Sequence, residues 1–295
     1  MRIPAVLLAM ALAQCVTGQE TVGEPSPARA VVIRPVLNMH AEPTQDSPLV
    51  SQAVYGATVR SLEWRGPWTR IATPDDYPGW VETEGLRLLE AGERYPAGER
   101  AARVESLMAH LYATPSVTSR APLLTIPYES QLEIEEELPD DNHRWLKVKL
   151  PDGWSAWVQR GDLRFDAPPS DISSLAAFAR RFLGLPYTWG GTTAFGYDCS
   201  GFTQMLTRRA GFAIPRDAMP QAHWDGMAPV ERDSLQPGDL LYFGPAYDKI
   251  SHAGFYLGGG EFIHATTHLK PVLQISRLDE EHWMKLYICA RRWKR

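Results

Sequence analysis

The sequence predicts an α+β protein: two small β-barrels in series, followed by a C-terminal α+β domain that carries the chemistry. Three observations predict this. A tryptophan-anchored pattern occurs twice, Trp68 to Trp80 and Trp145 to Trp157, with the second copy 77 positions after the first. Around each copy, short alternating stretches are broken by Pro and Gly turns, which is the pattern of short strands. Beyond Pro168-Pro169 the pattern changes to helical periodicity mixed with glycine-turned strands.

Composition sets the outer limits. The chain has 295 residues, a length suited to two or three domains. It is 44% hydrophobic and 22% charged, too apolar for disorder. A net charge of -5 argues against a nucleic-acid-binding surface. Three cysteines are too few for a disulfide framework.

The elements follow in chain order. Met1-Arg2 and the apolar run Ile3 to Ala13 read as a signal peptide over 1–18, too short to span a bilayer. Leu12-Ala13-Gln14-Cys15 admits two readings, a lipid anchor at Cys15 or soluble export. Residues 19–30 read as a linker. The first barrel is expected over 31–90, opened by Leu37-Asn38-Met39, and the second over 100–166, opened by His110-Leu111-Tyr112. Glu133 to Glu137 reads as a solvated hairpin tip.

The C-terminal domain is expected over 170–295. Ser173 is placed to cap a helix running to about Leu183, with Leu175, Phe178, Ala179 and Phe182 on one face. A second helix is expected from Cys199 to Ala210, with Gly211 at its C-terminal cap. Cys199 then starts a helix, where unpaired N–H groups and the dipole favour an anion, so its thiol pKa should fall. Ser251 to Leu257 and Glu261 to Ala265 read as a hairpin turned by Gly258-Gly259-Gly260. The even separation of His252 and His264 lets both face one side. A nucleophile, base and orienting partner result: Cys199, His252 and His264. A zinc site made of the same three has no CxxC or HExxH spacing behind it. His223, His268 and His282 read as surface residues, Cys289 as a strand residue, and Arg291, Arg292, Lys294 and Arg295 as a solvated tail.

An ordered set of motifs in this region resembles the NlpC-type papain-like cell-wall cysteine peptidases. These are Pro186-Tyr187 with Trp189-Gly190, Asp198-Cys199-Ser200-Gly201-Phe202, Pro237-Gly238-Asp239-Leu240, and the two histidine strands. The two preceding segments resemble bacterial SH3-like domains. The resemblance implies a papain-like domain with the nucleophile at Cys199, the base at His252, the third polar residue at His264, Tyr187 beside the oxyanion, and Asp198 and Ser200 along the substrate groove. With SH3-like domains in front, the chain is most similar to the branch that cuts the γ-D-glutamyl–diamino acid bond in peptides with a free N-terminal L-alanine. That likeness implies Asp217 as the ammonium acceptor and Tyr77 facing the same end. Two departures are Ala218, where a Ser is common, and the stretch Leu49 to Ala53, which lacks a carboxylate. No metal or cofactor is implied. The implied partners are peptidoglycan-derived peptides, the location periplasmic or extracellular, and the state monomeric. The alternatives are an endopeptidase or amidase on intact wall, and a non-catalytic wall-binding module.

Overall fold

The structure, a computed structural model, describes residues 28–98, 100–137, 143–165 and 168–294. The expected signal peptide, Cys15 and most of the expected linker lie outside the described residues. The linker ends earlier than expected: Arg29–Val32 is a strand, held between Thr58–Arg65 and Leu86–Leu88. Ala30, Val31 and Val32 are fully buried, which is why this edge of the sequence orders.

The first barrel is a seven-stranded antiparallel sheet, in the order Leu49–Val54, Val36–His40, Pro78–Glu82, Trp68–Ala72, Thr58–Arg65, Arg29–Val32, Leu86–Leu88. The second unit has five strands, in the order Ser155–Gln159, Trp145–Lys149, Gln131–Glu137, Ala101–Val104, Leu163–Arg164. A hairpin of Met108–Leu111 and Leu124–Pro127 closes it. The tryptophan repeat is one hairpin built twice. Arg70, two residues after Trp68, pairs with Trp80, and Lys147, two residues after Trp145, pairs with Trp157. Where the two units meet, Gln131 N–H donates to the Tyr55 carbonyl at 3.0 Å. Gly56, at φ 76°, has to be glycine: a Cβ there would lie 2.3 Å from the Gln131 carbonyl oxygen.

The C-terminal domain sets helices against a six-stranded antiparallel sheet, in the order Met227–Val230, Tyr287–Trp293, Leu240–Phe243, His252–Gly258, Glu261–Thr266, Val272–Arg277. The helix Cys199–Arg209 lies on one face. Its Phe202, Met205 and Leu206 are fully buried in the core that holds Ala253, Phe255, Ile263 and Ala265. The helix Glu281–Leu286 covers the other face through Trp283, against Phe243, Tyr256 and Phe262. The first helix is Ile172–Ala179, capped by Asp171 rather than Ser173: the Asp171 carboxylate accepts the Ser174 N–H at 2.9 Å and both neighbouring serine hydroxyls. A carboxylate is the stronger acceptor, so it takes the cap.

Arg291 and Arg292 are not a free tail, and Arg295 lies outside the described residues. Arg291 and Arg292 lie within the strand Tyr287–Trp293, and Arg292 forks onto the buried Asp239 at 2.6 and 2.8 Å. Asp239 also accepts the Gln236 N–H at 2.8 Å, so this aspartate anchors the strand entry rather than the chemistry. His282 is exposed and His268 half-buried, as surface residues should be, but their rings also stack on each other at 3.7 Å beside Trp283. Among the described residues no helix is long and apolar enough to cross a membrane.

Candidate active site

Asp198 ends an extended segment and caps the helix Cys199–Arg209, accepting the Gly201 N–H at 2.7 Å. Gly201 lets the helix start press against the preceding loop: a Cβ would lie 2.2 Å from the Gly191 carbonyl oxygen. Cys199 is therefore held rigidly at the first position of the helix. Its sulfur sits 3.9 Å from the Ser251 carbonyl oxygen, and the Ala253 N–H points toward it. Both flanking residues of His252 thus border the sulfur.

His252 begins its strand, and His264 sits on the neighbouring one. Nε2 of His252 is 2.7 Å from Nδ1 of His264, and Nε2 of His264 is 3.1 Å from Oγ of Ser276. Trp283 stacks on His252 at 5.1 Å and 24° and meets His264 edge-on at 4.7 Å. Nδ1 of His252 is thereby the ring nitrogen not engaged by His264. Ser276 and Trp283 were missed in the sequence. Neither lies in a motif, and only the register of the last sheet strand brings Ser276 to His264.

The electrostatics differ from expectation. Burial pushes the Cys199 thiol up to about 12, with the Asp198 carboxylate adding to the rise. The Ala253 and Ser200 N–H groups and Arg216 only partly oppose it. Burial pushes His252 down to about 3. The helix start does not win: desolvation outweighs it and pushes both the thiol and the imidazole toward their neutral forms.

Arg216 is the centre of a network under the helix start. Its guanidinium, 1% exposed, donates to Asp198 at 2.6 and 3.0 Å, to Ser200 Oγ at 3.0 Å and to Ser51 Oγ at 3.1 Å. Asp198 and Ser200 are therefore buried in this network, not lined along an open groove. The Asp217 carboxylate makes no ion pair with Arg216, although the guanidinium is near enough to oppose the rise of its pKa, and it accepts the Tyr77 hydroxyl at 3.0 Å. Burial raises the pKa of Asp217 above the usual carboxylate range, and burial with Asp217 beside it takes Tyr77 up to about 12. Tyr187 is half-buried near the sulfur, and burial followed by Cys199 raises its phenol. The structure pairs His252 with His264, sets the two residues that flank His252 against the Cys199 sulfur, places Tyr187 close enough for Cys199 to raise its phenol, and joins Tyr77 to Asp217 from two domains.

Residues 184–292 match the NlpC/P60 family, and residues 39–86 match the bacterial dipeptidyl-peptidase SH3 domain. A Bacillus cereus protein named gamma-D-glutamyl-L-lysine dipeptidyl-peptidase is 33% identical over 266 residues, 85% of this chain and 77% of that protein. The chain belongs to the NlpC/P60 family. A Bacillus subtilis protein of the same name is 29% identical, over 84% of this chain and 82% of its own length. The crystal structure of an NlpC/P60 family protein from Bacillus cereus superposes with a TM-score of 0.78 at 26% identity, covering 90% of this chain and 99% of that one. The NlpC/P60 fold here is papain-like, with an SH3 domain in front. The SH3 match covers the first barrel alone, so the likeness of the second unit to that domain is not carried by it.

Proposed function

We propose that this protein is an exported cysteine endopeptidase. It hydrolyses the γ-D-glutamyl–diamino acid bond of murein peptides that carry a free N-terminal L-alanine. The observation that carries this reading is the Tyr77–Asp217 contact between the SH3 domain and the domain that holds Cys199 and His252. A carboxylate partly withdrawn from water, with no direct ion pair to Arg216, suits an ammonium group. The gamma-D-glutamyl-L-lysine dipeptidyl-peptidase relatives, matched over most of this chain, support the same bond class.

In this reading Cys199 Sγ attacks the γ-carbonyl carbon while its proton passes to Nδ1 of His252. Thiol and imidazole each resist charging alone, so the charges form together, as a pair. Helix-start N–H groups and Tyr187 stabilise the oxyanion. His252 returns the proton to the departing amine as the C–N bond breaks. The diamino acid leaves at this step, and water then cleaves the thioester, releasing L-Ala-D-Glu and regenerating the Cys199 thiol. The second β unit serves as a further SH3-like wall of the chain, and Cys15, if lipidated after export, would tether it. Mass spectrometry of the products from L-Ala-γ-D-Glu-diaminopimelate tests the reading. Diaminopimelate and the dipeptide should appear with wild type and not with Cys199→Ala. Release of intact stem peptides from glycan would instead identify an amidase. Iodoacetamide alkylation of Cys199 in the unliganded protein should inflect above the free-thiol value of ~8.5; an inflection below it would restore a resting thiolate.

A further inference from the structure

His264 is fully buried, and both of its ring nitrogens face polar atoms: His252 Nε2 at 2.7 Å and Ser276 Oγ at 3.1 Å. A neutral imidazole has one donor and one acceptor nitrogen. The two histidines can therefore share their contact in only two ways. In one, His252 donates from Nε2 to His264 Nδ1, and His264 must donate from Nε2 to Ser276. In the other, His264 donates from Nδ1, Ser276 donates to His264 Nε2, and His252 carries its proton on Nδ1. Only the first leaves His252 Nδ1 as a base.

We propose that Ser276 is a positioning residue: its hydroxyl accepts the His264 Nε2–H and thereby holds both histidines in the tautomers that keep His252 Nδ1 free for the Cys199 proton. This rests on the roles given above to Cys199 and His252. The same polarity is required once His252 is an imidazolium. It then donates from both nitrogens, His264 Nδ1 must accept, and the remaining proton of His264 can only go to Ser276. Burial and the neighbouring His252 keep the pKa of His264 well below the usual value, so His264 does not take the charge itself. Trp283 cannot substitute, because it contacts both rings through its indole faces and edges. Nor can Gln274, although it stands opposite His264 in the sheet: its amide donates instead to the His268 carbonyl at 2.8 Å. Ser276 lies two residues further along the same strand face, 7% exposed, and reaches His264 on the diagonal.

The test uses the full chain with ¹⁵N-labelled histidine. In wild type, the His264 ring should read as the Nε2–H tautomer. In Ser276→Ala that signature should weaken or reverse, and kcat/KM should fall by about 5- to 30-fold with little change in KM, the range for one lost acceptor to a buried donor. Ser276→Thr keeps the hydroxyl and should return kcat/KM to within about two-fold of wild type. In a His264→Asn background, Ser276→Ala should add nothing, because the ring it polarises is gone. A wild-type His264 found as the Nδ1–H tautomer would overturn the proposal. So would an undiminished penalty for Ser276→Ala in the His264→Asn protein, since a purely structural serine acts in both backgrounds. The tautomer readout needs no substrate. A wild-type enzyme that cleaves no γ-D-glutamyl peptide would therefore count against the reaction proposed above and leave this inference standing on its own measurement.

Discussion

The two β units carry the same tryptophan hairpin, yet they hold opposite ends of one helix. The first meets the N-terminal end of Cys199–Arg209. It supplies Ser51 to Arg216, Tyr77 to Asp217, the Leu49 carbonyl to Trp189 Nε1 at 3.0 Å, and Gln52 to the Thr192 N–H at 3.1 Å. The second grips the C-terminal end. Glu129 takes a bidentate fork from Arg208 at 3.0 and 2.6 Å, Glu105 takes Arg209 at 2.8 Å, and Tyr128 inserts into the helix core. Basic residues at a helix C-terminus complement the dipole and are paired there by acids, a scaffolding contact. At the other end the same barrel type leaves a carboxylate, Asp217, that makes no ion pair among the described residues and is bonded by the Tyr77 hydroxyl. The lesson is that the hairpin does not set the role. Which end of the helix the barrel covers sets it.

The comparison can be broken first through the two arginines. Arg216→Ala should cost about 3–5 kcal/mol of stability, because it leaves Asp198 buried and unpaired. Arg208→Ala also strands a buried acid, Glu129 at 10% exposure, but the guanidinium it removes is 40% exposed and water can enter in its place, so it should cost less, about 1–3 kcal/mol. Urea unfolding of both variants decides it, and equal losses would erase the distinction between the two seams.

Next in size, Asp217→Asn should lower kcat/KM on free-amine peptides by roughly 1.5–3 kcal/mol, the range for hydrogen bonds to charged groups. N-acetylating the substrate alanine should harm the wild type far more than this variant. Glu105→Gln, at the other seam, should leave kcat/KM unchanged within about two-fold. If blocked and free peptides are cleaved equally, the first barrel does not select the terminus, and the enzyme acts more broadly on the wall.

The pH dependence sharpens the same contrast. Asp217 is a raised acid, so its charge is present only above that raised value. As pH falls through it the carboxylate is neutralised, and KM for free-amine peptides should rise. Asp217→Asn should lack this acid limb. A limb that persists in the variant would belong to another group.

The smallest effect is expected for Tyr77→Phe, which removes one 3.0 Å hydrogen bond and should cost about 0.5–1.5 kcal/mol in kcat/KM, with no change in the unfolding midpoint beyond experimental scatter. A large loss of stability instead would make Tyr77 a packing residue of the barrel.

Much of the fold was legible because it is local. The tryptophan spacing fixes a hairpin register in both copies, and the apolar period from Phe202 to Leu206 marks the buried face of the helix. Cys199, His252 and His264 could be named because a helix start, a glycine-turned hairpin that permits both histidines to share a face, and the ordered motifs of a known family all fall on them. Local pattern misjudged side chains whose partners are distant. Arg291 and Arg292 look like a solvated tail until Asp239 is brought beside them. Asp198 and Ser200 look like groove residues until Arg216 arrives from beyond the helix.

By itself the sequence determined the order of the strands within each hairpin, the helix that carries Cys199 and the spacing of the two histidines. These follow from backbone geometry and periodicity over a few residues. Only the tertiary structure decided the charge states and the closures. A thiol at a helix start is expected to ionise easily, yet here burial outweighs the helix and pushes it up to about 12. Ser276 meets His264 only because the last strand pairs in one register, and Tyr77 meets Asp217 across 140 residues of chain. Desolvation and long-range contact depend on what the rest of the chain packs around a group, and no short stretch of sequence contains that information.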